Sequence, residues 1–209
     1  MRALSKIISR VQEFFYPVLK CPICKEYSQG LCIGCKDELI NFEETTLDHC
    51  DKGISLYTYN QAAKDLISSY KKKKEFAAGE AMASLIVERL KIEKDKIDLI
   101  TCAPSSKASL KALGFDHGAH LIKLISKDIG VPWALLFSPS TMIQKGLDKE
   151  ERLANALAID FKRDILKTCQ GKKILLIDDV YTTGSTVNRC ISLLSEQEVA
   201  VKFMTFARL

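Results

Sequence analysis

Apolar and polar residues follow two different rhythms along this chain, and the change of rhythm divides it. Leu4, Ile7, Ile8, Val11, Phe14, Phe15 and Val18 recur every three or four residues, with Arg2, Lys6 and Arg10 off that stripe. This spacing predicts an amphipathic helix that packs on its own domain or rests on a membrane or partner. A less regular stretch follows to about residue 52, and Ile54, Leu56, Tyr57 and Tyr59 predict a strand over 54–59. Residues 60–90 read as helical, with Ala63, Leu66, Ile67 and Tyr70 on one face and Leu85, Ile86 and Leu90 on another, interrupted by lysines at 71–74. From residue 97 the pattern alternates between short apolar runs and helical spacing. Strands are expected at 97–103, 133–137, 173–177 and 199–206, and helices at 116–128, 148–158 and 184–195. Strands buried on both faces and linked by helices imply a parallel sheet. Ligands of such sheets bind at the carboxyl ends of the strands.

With 209 residues, 47 % of them hydrophobic, the chain can fill one sizeable core and a small appendage. The expected division is 1–50, a helix and a cysteine-bearing segment, and 51–209, the α/β domain. No run of about 18 apolar residues suggests a membrane span. The start lacks the continuous apolar stretch of a secretory signal, so a cytoplasmic location is expected. The net charge of +5 permits binding of nucleic acid or polyphosphate without requiring it.

Four of the eight cysteines form two Cys-x-x-Cys hooks, Cys21–Cys24 and Cys32–Cys35, with seven residues between them. Each hook can offer two thiolates to one tetrahedral ion, a closed set that suits a structural Zn²⁺. The turn-like Tyr27-Ser28-Gln29-Gly30 lies between them. Redox hooks or free thiols are the other interpretation, and His49 or Cys50 could replace one ligand. Cys102, Cys169 and Cys190 fall within expected elements of the main domain and read as core residues.

The segment 174–186 is the most informative. Ile174-Leu175-Leu176-Ile177 is a buried strand, Asp178 and Asp179 follow at its carboxyl end, and Val180-Tyr181-Thr182-Thr183-Gly184-Ser185-Thr186 turns into a helix. The turn directs backbone N–H groups and the positive end of a helix dipole at one point, where a phosphate monoester would be held. Hydroxyls of Thr and Ser add donors, and Gly184 lets the backbone approach closely. The two aspartates can accept from vicinal hydroxyls such as those of a ribose. A capped strand–turn–helix alone does not need two adjacent acids there.

This segment closely resembles the signature of type I phosphoribosyltransferases, the enzymes and regulators that use phosphoribosyl pyrophosphate. The resemblance implies their α/β fold, a parallel sheet flanked by helices, behind a small N-terminal Cys₄ zinc knuckle. It also implies a pyrophosphate-binding loop after the first strand, here Ser105, Ser106 and Lys107, and Mg²⁺ bridging pyrophosphate and ribose oxygens. Where hypoxanthine- and guanine-salvage members have an aspartate for the purine, this chain has Thr182, so the loop holds no obvious general base. Gly114-Phe115-Asp116-His117-Gly118-Ala119-His120, Gln144 to Asn155 and Phe206-Ala207-Arg208 resemble segments of the ComF family, also called GntX. Leu113 stands where that family usually has arginine, Asp116 where it has asparagine and His117 where it has glutamine, and an arginine usually found before Gln144 is missing. His117 and His120 read as catalytic or as structural helix-face histidines.

Lys71, Lys72, Lys73 and Lys74 lie between Tyr70 and Phe76, and ComF proteins usually carry a basic–aromatic segment here. Such a patch could track the phosphates of single-stranded DNA, with the rings stacking on bases, or it could be a solvated helix end. Two functions are expected from this reading. In one, the chain is a ComF-like factor of natural transformation that binds phosphoribosyl pyrophosphate, handles single-stranded DNA and meets DNA-uptake proteins. In the other, it is an active phosphoribosyltransferase of nucleotide metabolism with an unidentified acceptor.

Overall fold

The structure is a computed structural model and describes residues 19–42, 44–45, 50, 52–93, 96–138, 156, 158–162, 169–197 and 199–209. The expected helix over residues 4–18 and the segment 144–155 lie outside the described residues, as does most of the helix expected at 148–158.

The described elements run in order as α1 (Ile33–Asp37), β1 (Glu44–Thr45), β2 (Lys52–Thr58), α2 (Gln61–Lys71), α3 (Phe76–Glu93), β3 (Leu99–Cys102), α4 (Lys107–Leu113), α5 (His117–Ile129), β4 (Lys173–Tyr181), α6 (Ser185–Ser195) and β5 (Ala200–Arg208). The sheet has the order β1-β2-β5-β4-β3. Only β1, at the edge, is antiparallel to its neighbour; β2, β5, β4 and β3 are parallel.

Strand alternation sorts the core into two layers. Leu175, Ile177, Met204 and Phe206 face α2, α3 and α5, where Leu66, Tyr70, Met82, Ile86, Leu121 and Ile122 are buried. Ile174, Leu176, Val201 and Phe203 face the other side, toward Val187, Cys190, Ile191 and Leu194 of α6. Cys102, Cys169 and Cys190 are buried as expected.

The lysine-rich interruption is a bend between two helices. Asn60 caps α2 by accepting from the Ala63 N–H at 3.0 Å, which sets where the helix starts. Lys74 takes a positive φ of 57° at the bend. On α3, Gly79 admits the Tyr70 ring: a Cβ there would lie 2.5 Å from Tyr70 Cε2.

Two expected elements differ in the structure. The strand at 173–177 continues to Tyr181, because β5 pairs with it as far as Tyr181–Arg208. The two aspartates are therefore strand residues rather than loop residues. The expected strand at 133–137 is reduced to single bridges, Trp133 with Ile100 and Phe137 with Phe161. Ala134 N–H still donates to Ile100 C=O at 2.9 Å, but beyond it Leu136 N–H goes to the Thr101 hydroxyl at 3.4 Å and Lys162 N–H to Leu136 C=O at 2.9 Å.

Candidate functional site

The carboxyl ends of β3 and β4 open into a cleft of about 530 Å³ between α2 and the start of α6. All nine residues from Asp178 to Thr186 line it. Gly184, at φ 74°, stands at the N-cap of α6 and offers no side chain to cap it. Of the first-turn N–H groups, that of Ser185 donates to Thr183 Oγ1 at 3.5 Å, and Gly184 gives the others no side-chain cap. Thr183 Oγ1 and Ser185 Oγ lie 2.9 Å apart beside them. Tyr181 fixes the floor: a Cβ on Gly184 would come within 2.1 Å of its hydroxyl oxygen. The Arg208 guanidinium sits 4.8 Å over the Tyr181 ring and 5.3 Å over that of Phe42, holding the ring from behind.

The two acids are held differently. Asp179 is buried and accepts from Lys71 Nζ at 2.8 Å, while His117 Nε2 lies 3.9 Å from its other oxygen. Burial works against the Asp179 carboxylate, but the Lys71 ammonium and His117 outweigh it and hold the carboxyl below the usual range. Asp178 accepts from the Asp179 backbone N–H at 2.9 Å. Burial first, and then the neighbouring Asp179 charge, push its carboxyl well above the usual range. The two carboxyls are therefore pushed in opposite directions, with Lys71 as counter-ion to Asp179.

Of the two histidines, His117 lines the cleft. Burial lowers its affinity for a proton, and Nδ1 has no partner among the described residues. His120 belongs to an aromatic cluster instead, with Phe76 at 5.1 Å, Tyr70 at 5.8 Å and Phe115 at 6.3 Å between ring centroids. The Tyr70 hydroxyl donates to His117 C=O at 2.7 Å and lies 2.9 Å from His120 Nδ1.

The expected pyrophosphate residues are placed less directly. Ser105 lines the cleft, but its hydroxyl donates to Asp116 Oδ1 at 3.3 Å. Ser106 is buried and caps α4 by accepting from the Ser109 N–H at 3.1 Å. Lys107 is exposed and is not among the residues that line the cleft. The lysine run is split. Lys71 and Lys72 line the cleft, Lys73 Nζ donates to Ser69 Oγ at 3.3 Å, and Lys74 Nζ lies near Gly114. The sequence reading did not anticipate Lys71 on Asp179. The available signal was that Lys64, Ile67, Ser68 and Lys71 share one helix face, and all four line the cleft.

The second constellation is the knuckle. The Sγ atoms of Cys21, Cys24, Cys32 and Cys35 lie within 4.8 Å of one another. Cys24 and Cys32 are 3.7 Å apart, against the edge of about 3.8 Å that Zn–S bonds of about 2.3 Å give a tetrahedron. The donor set fits a closed thiolate site. Burial opposes ionisation of Cys21, yet backbone N–H groups led by that of Cys32 draw its thiol down to about 6. Burial and the surrounding cysteines push the Cys35 thiol up. Four thiolates at this spacing require a cation. Cys50 is not part of the set: its thiol donates to Lys52 C=O and Val201 C=O at 3.2 and 3.3 Å. His49 lies outside the described residues. Ion pairs of Lys36 with Glu88, at 2.8 Å, and of Lys25 with Glu75 fasten the knuckle to α3 and to the bend before it.

No family model matches the chain. Over 153 residues it is 33 % identical to "Competence protein ComFC" of Streptococcus pneumoniae, covering 70 % of this chain and 66 % of that protein, just under two thirds of its length. The chain is thus similar to a ComF protein over most of its own length. Competence protein ComFC of Bacillus subtilis is 26 % identical over 189 residues, covering 89 % of this chain and 75 % of that protein. Among solved structures, an adenine phosphoribosyltransferase of Trypanosoma brucei in complex with AMP, pyrophosphate and ribose-5-phosphate is 12 % identical, with TM-score 0.48 over 80 % of this chain and 87 % of that one. The adenine phosphoribosyltransferase of Leishmania donovani is 15 % identical, with TM-score 0.44 over 68 % of each chain. The fold is a largely parallel five-stranded sheet flanked by helices, with a cysteine cluster in front that could hold a metal ion such as zinc. Among the described residues no helix is long and apolar enough to cross a membrane.

Proposed function

We propose that this chain binds phosphoribosyl pyrophosphate in the cleft and serves natural transformation in the cytoplasm, where it handles incoming single-stranded DNA together with DNA-uptake proteins. One observation carries the proposal: the acid pair and the uncapped start of α6 line one cleft of about 530 Å³, a volume suited to a small phosphorylated sugar. The 5′-phosphate takes the N–H groups and hydroxyls of residues 182–186, and the ribose hydroxyls take Asp178 and Asp179. Mg²⁺ arrives with the ligand and neutralises charge between its pyrophosphate and ribose oxygens. The knuckle holds one structural Zn²⁺ on Cys21, Cys24, Cys32 and Cys35. DNA handling falls to the outer half of the lysine run, where Lys73 and Lys74 stand beside Phe76, itself half-exposed. The proposed division into residues 1–50 and 51–209 puts the knuckle and the cleft in separate units.

Calorimetry with phosphoribosyl pyrophosphate and Mg²⁺ tests the central claim. Binding is expected for the wild type and lost in Asp178→Ala/Asp179→Ala. A folded, zinc-loaded wild type that binds nothing would sink it. The DNA claim predicts affinity for single strands that weakens with salt and drops in Lys73→Gln/Lys74→Gln. A second reading, phosphoribosyl transfer to an acceptor, is favoured by His117, a buried imidazole at the cleft whose Nε2 lies 3.9 Å from Asp179. It predicts pyrophosphate release that depends on an added nucleobase or amine and falls in His117→Gln.

A further inference from the structure

We propose that single-stranded DNA is held outside the cleft and chiefly through its bases, stacked on a platform that Phe76 forms with Phe115 and His120, while Lys74 takes an adjoining phosphate. The inference rests on the proposed handling of single-stranded DNA and says which surface meets the strand and by what contacts.

The platform joins segments far apart in the chain. Phe76 opens α3, Phe115 precedes α5 and His120 lies in the first turn of α5. The Phe76 ring centroid is 5.6 Å from that of Phe115, which stands edge-on at 73°, and 5.1 Å from that of His120. Tyr70 braces both partners, its ring 5.6 Å from Phe115 and its hydroxyl 2.9 Å from His120 Nδ1. Tyr70 is fully buried and Phe115 and His120 are partly buried, yet Phe76 remains 49 % exposed. A ring fixed by its neighbours and half open to water offers a face to another planar group. None of the three rings lines the cleft.

The charge beside the rings selects a nucleic acid over an apolar partner. Lys74 has a φ of 57°, a conformation that glycine adopts at less cost. A bend alone does not need a side chain there, so the lysine points to a use for its ammonium. Its Nζ reaches the loop before α5, 3.2 Å from where a Cβ on Gly114 would stand, beside Phe115. Lys25, the other such residue among those described, is paired with Glu75. No carboxylate pairs with Lys74 among the described residues. Lys123 of α5 adds a second exposed ammonium near the His120 ring, and Glu80 of α3 is the acid near the same ring. A duplex keeps its base faces covered, whereas a single strand can lay one on Phe76 with its phosphate toward Lys74. Every base has such a face, so the platform should tolerate any sequence.

Fluorescence anisotropy with a labelled oligothymidylate and an abasic strand of equal length, across a salt series, tests this. The wild type should bind the base-bearing strand about fivefold tighter or more. Phe76→Leu keeps apolar volume at a half-exposed position and should erase that preference, leaving the abasic affinity and the salt slope unchanged. Phe76→Trp should keep or increase the preference. Lys74→Gln should weaken both strands alike and lower the salt slope by about one. Glu80→Gln should tighten both by about twofold. Lys72→Gln, in the cleft wall, is the rival arm. If it weakens the strands and Lys74→Gln does not, the DNA runs through the cleft and the proposal is overturned. Equal affinity of the wild type for the two strands, or a Phe76→Leu variant that keeps the preference, overturns the platform while DNA handling by the lysines stands. A wild type that binds neither strand overturns both.

Discussion

In the knuckle, four thiols converge within 4.8 Å, and the charge they would carry as thiolates calls for a metal ion. In the cleft, two carboxylates meet a lysine that the protein itself supplies from another helix. The first arrangement would need a cation from solution. The second is balanced within the chain and leaves its surplus, the uncapped start of α6, for a ligand. A cluster of like groups within one short segment thus points to structure, and a mixed cluster drawn from distant segments points to binding.

Metal removal is the widest test of that contrast. Structural Zn²⁺ binding in comparable peptides is worth roughly 10–16 kcal/mol, so a strong chelator should unfold the knuckle. The sheet's two core layers bury their own residues and should persist. Metal analysis should find one zinc per chain, and Cys35→Ser should lower it. After chelation, protease cleavage is expected within residues 19–42 while the circular dichroism of the α/β core is retained. Loss of the whole fold on chelation would show that the two regions are not independent.

Gly184→Ala makes the opposite cut. The residue combines a φ of 74° with a Cβ position 2.1 Å from the Tyr181 hydroxyl oxygen, so the turn or the ring must move. About 1–3 kcal/mol of stability should be lost, read from denaturant unfolding, together with most of the affinity for ribose 5-phosphate. Zinc content should not change.

These two sites also differ in how legible they were. Two Cys-x-x-Cys hooks and the run from Ile174 to Thr186 are local, so spacing alone places their residues together. Lys71 and Asp179 are 108 positions apart, and their pairing depends on how α2 lies across the carboxyl end of β4. Helical periodicity gives the shared face of Lys64 and Lys71 but not what that face meets. The run 71–74 consequently reads as one patch, although its residues point to three different surroundings. The segment at 105–107 fails for a related reason: small hydroxyl residues after a strand suit an anion and a helix cap equally well, and here Ser106 is the cap. The end of β4 was misplaced because apolar character stops at Ile177 while pairing with β5 does not.

Tyr70→Phe is a smaller perturbation of the cleft's back wall. It removes the hydroxyl that joins His117 C=O to His120 and keeps the ring against Gly79. About 1–2 kcal/mol should be lost from the unfolding free energy, since a buried carbonyl loses its donor. If the wall only supports the site, affinity for ribose 5-phosphate should change less than stability does.

The smallest expected effect concerns protons and separates the cleft's acids from each other. Asp178 has its carboxyl raised by burial and by Asp179, whereas Asp179 is held ionised by Lys71 and His117. The signs for stability are opposite. The raised group favours the fold at low pH, and that contribution fades as pH rises through its folded value. The depressed group favours the fold above the ordinary carboxylate range, and its contribution is lost as pH falls. For ligand binding the sign follows from the donors. A carboxylate accepts from ribose hydroxyls more strongly than a carboxylic acid does, so docking favours the ionised form of Asp178. Affinity for ribose 5-phosphate should therefore rise with pH, by at most about tenfold per pH unit, and binding should release up to one proton. The ligand's own phosphate also titrates near neutrality, with a second pKa of about 6, so the comparison between wild type and Asp178→Asn isolates the protein's share. Calorimetry in two buffers of different ionisation heat reads the proton count directly. A wild-type count equal to that of Asp178→Asn would mean that Lys71 already keeps both carboxylates ionised, and that the lysine, not a proton, balances the pair.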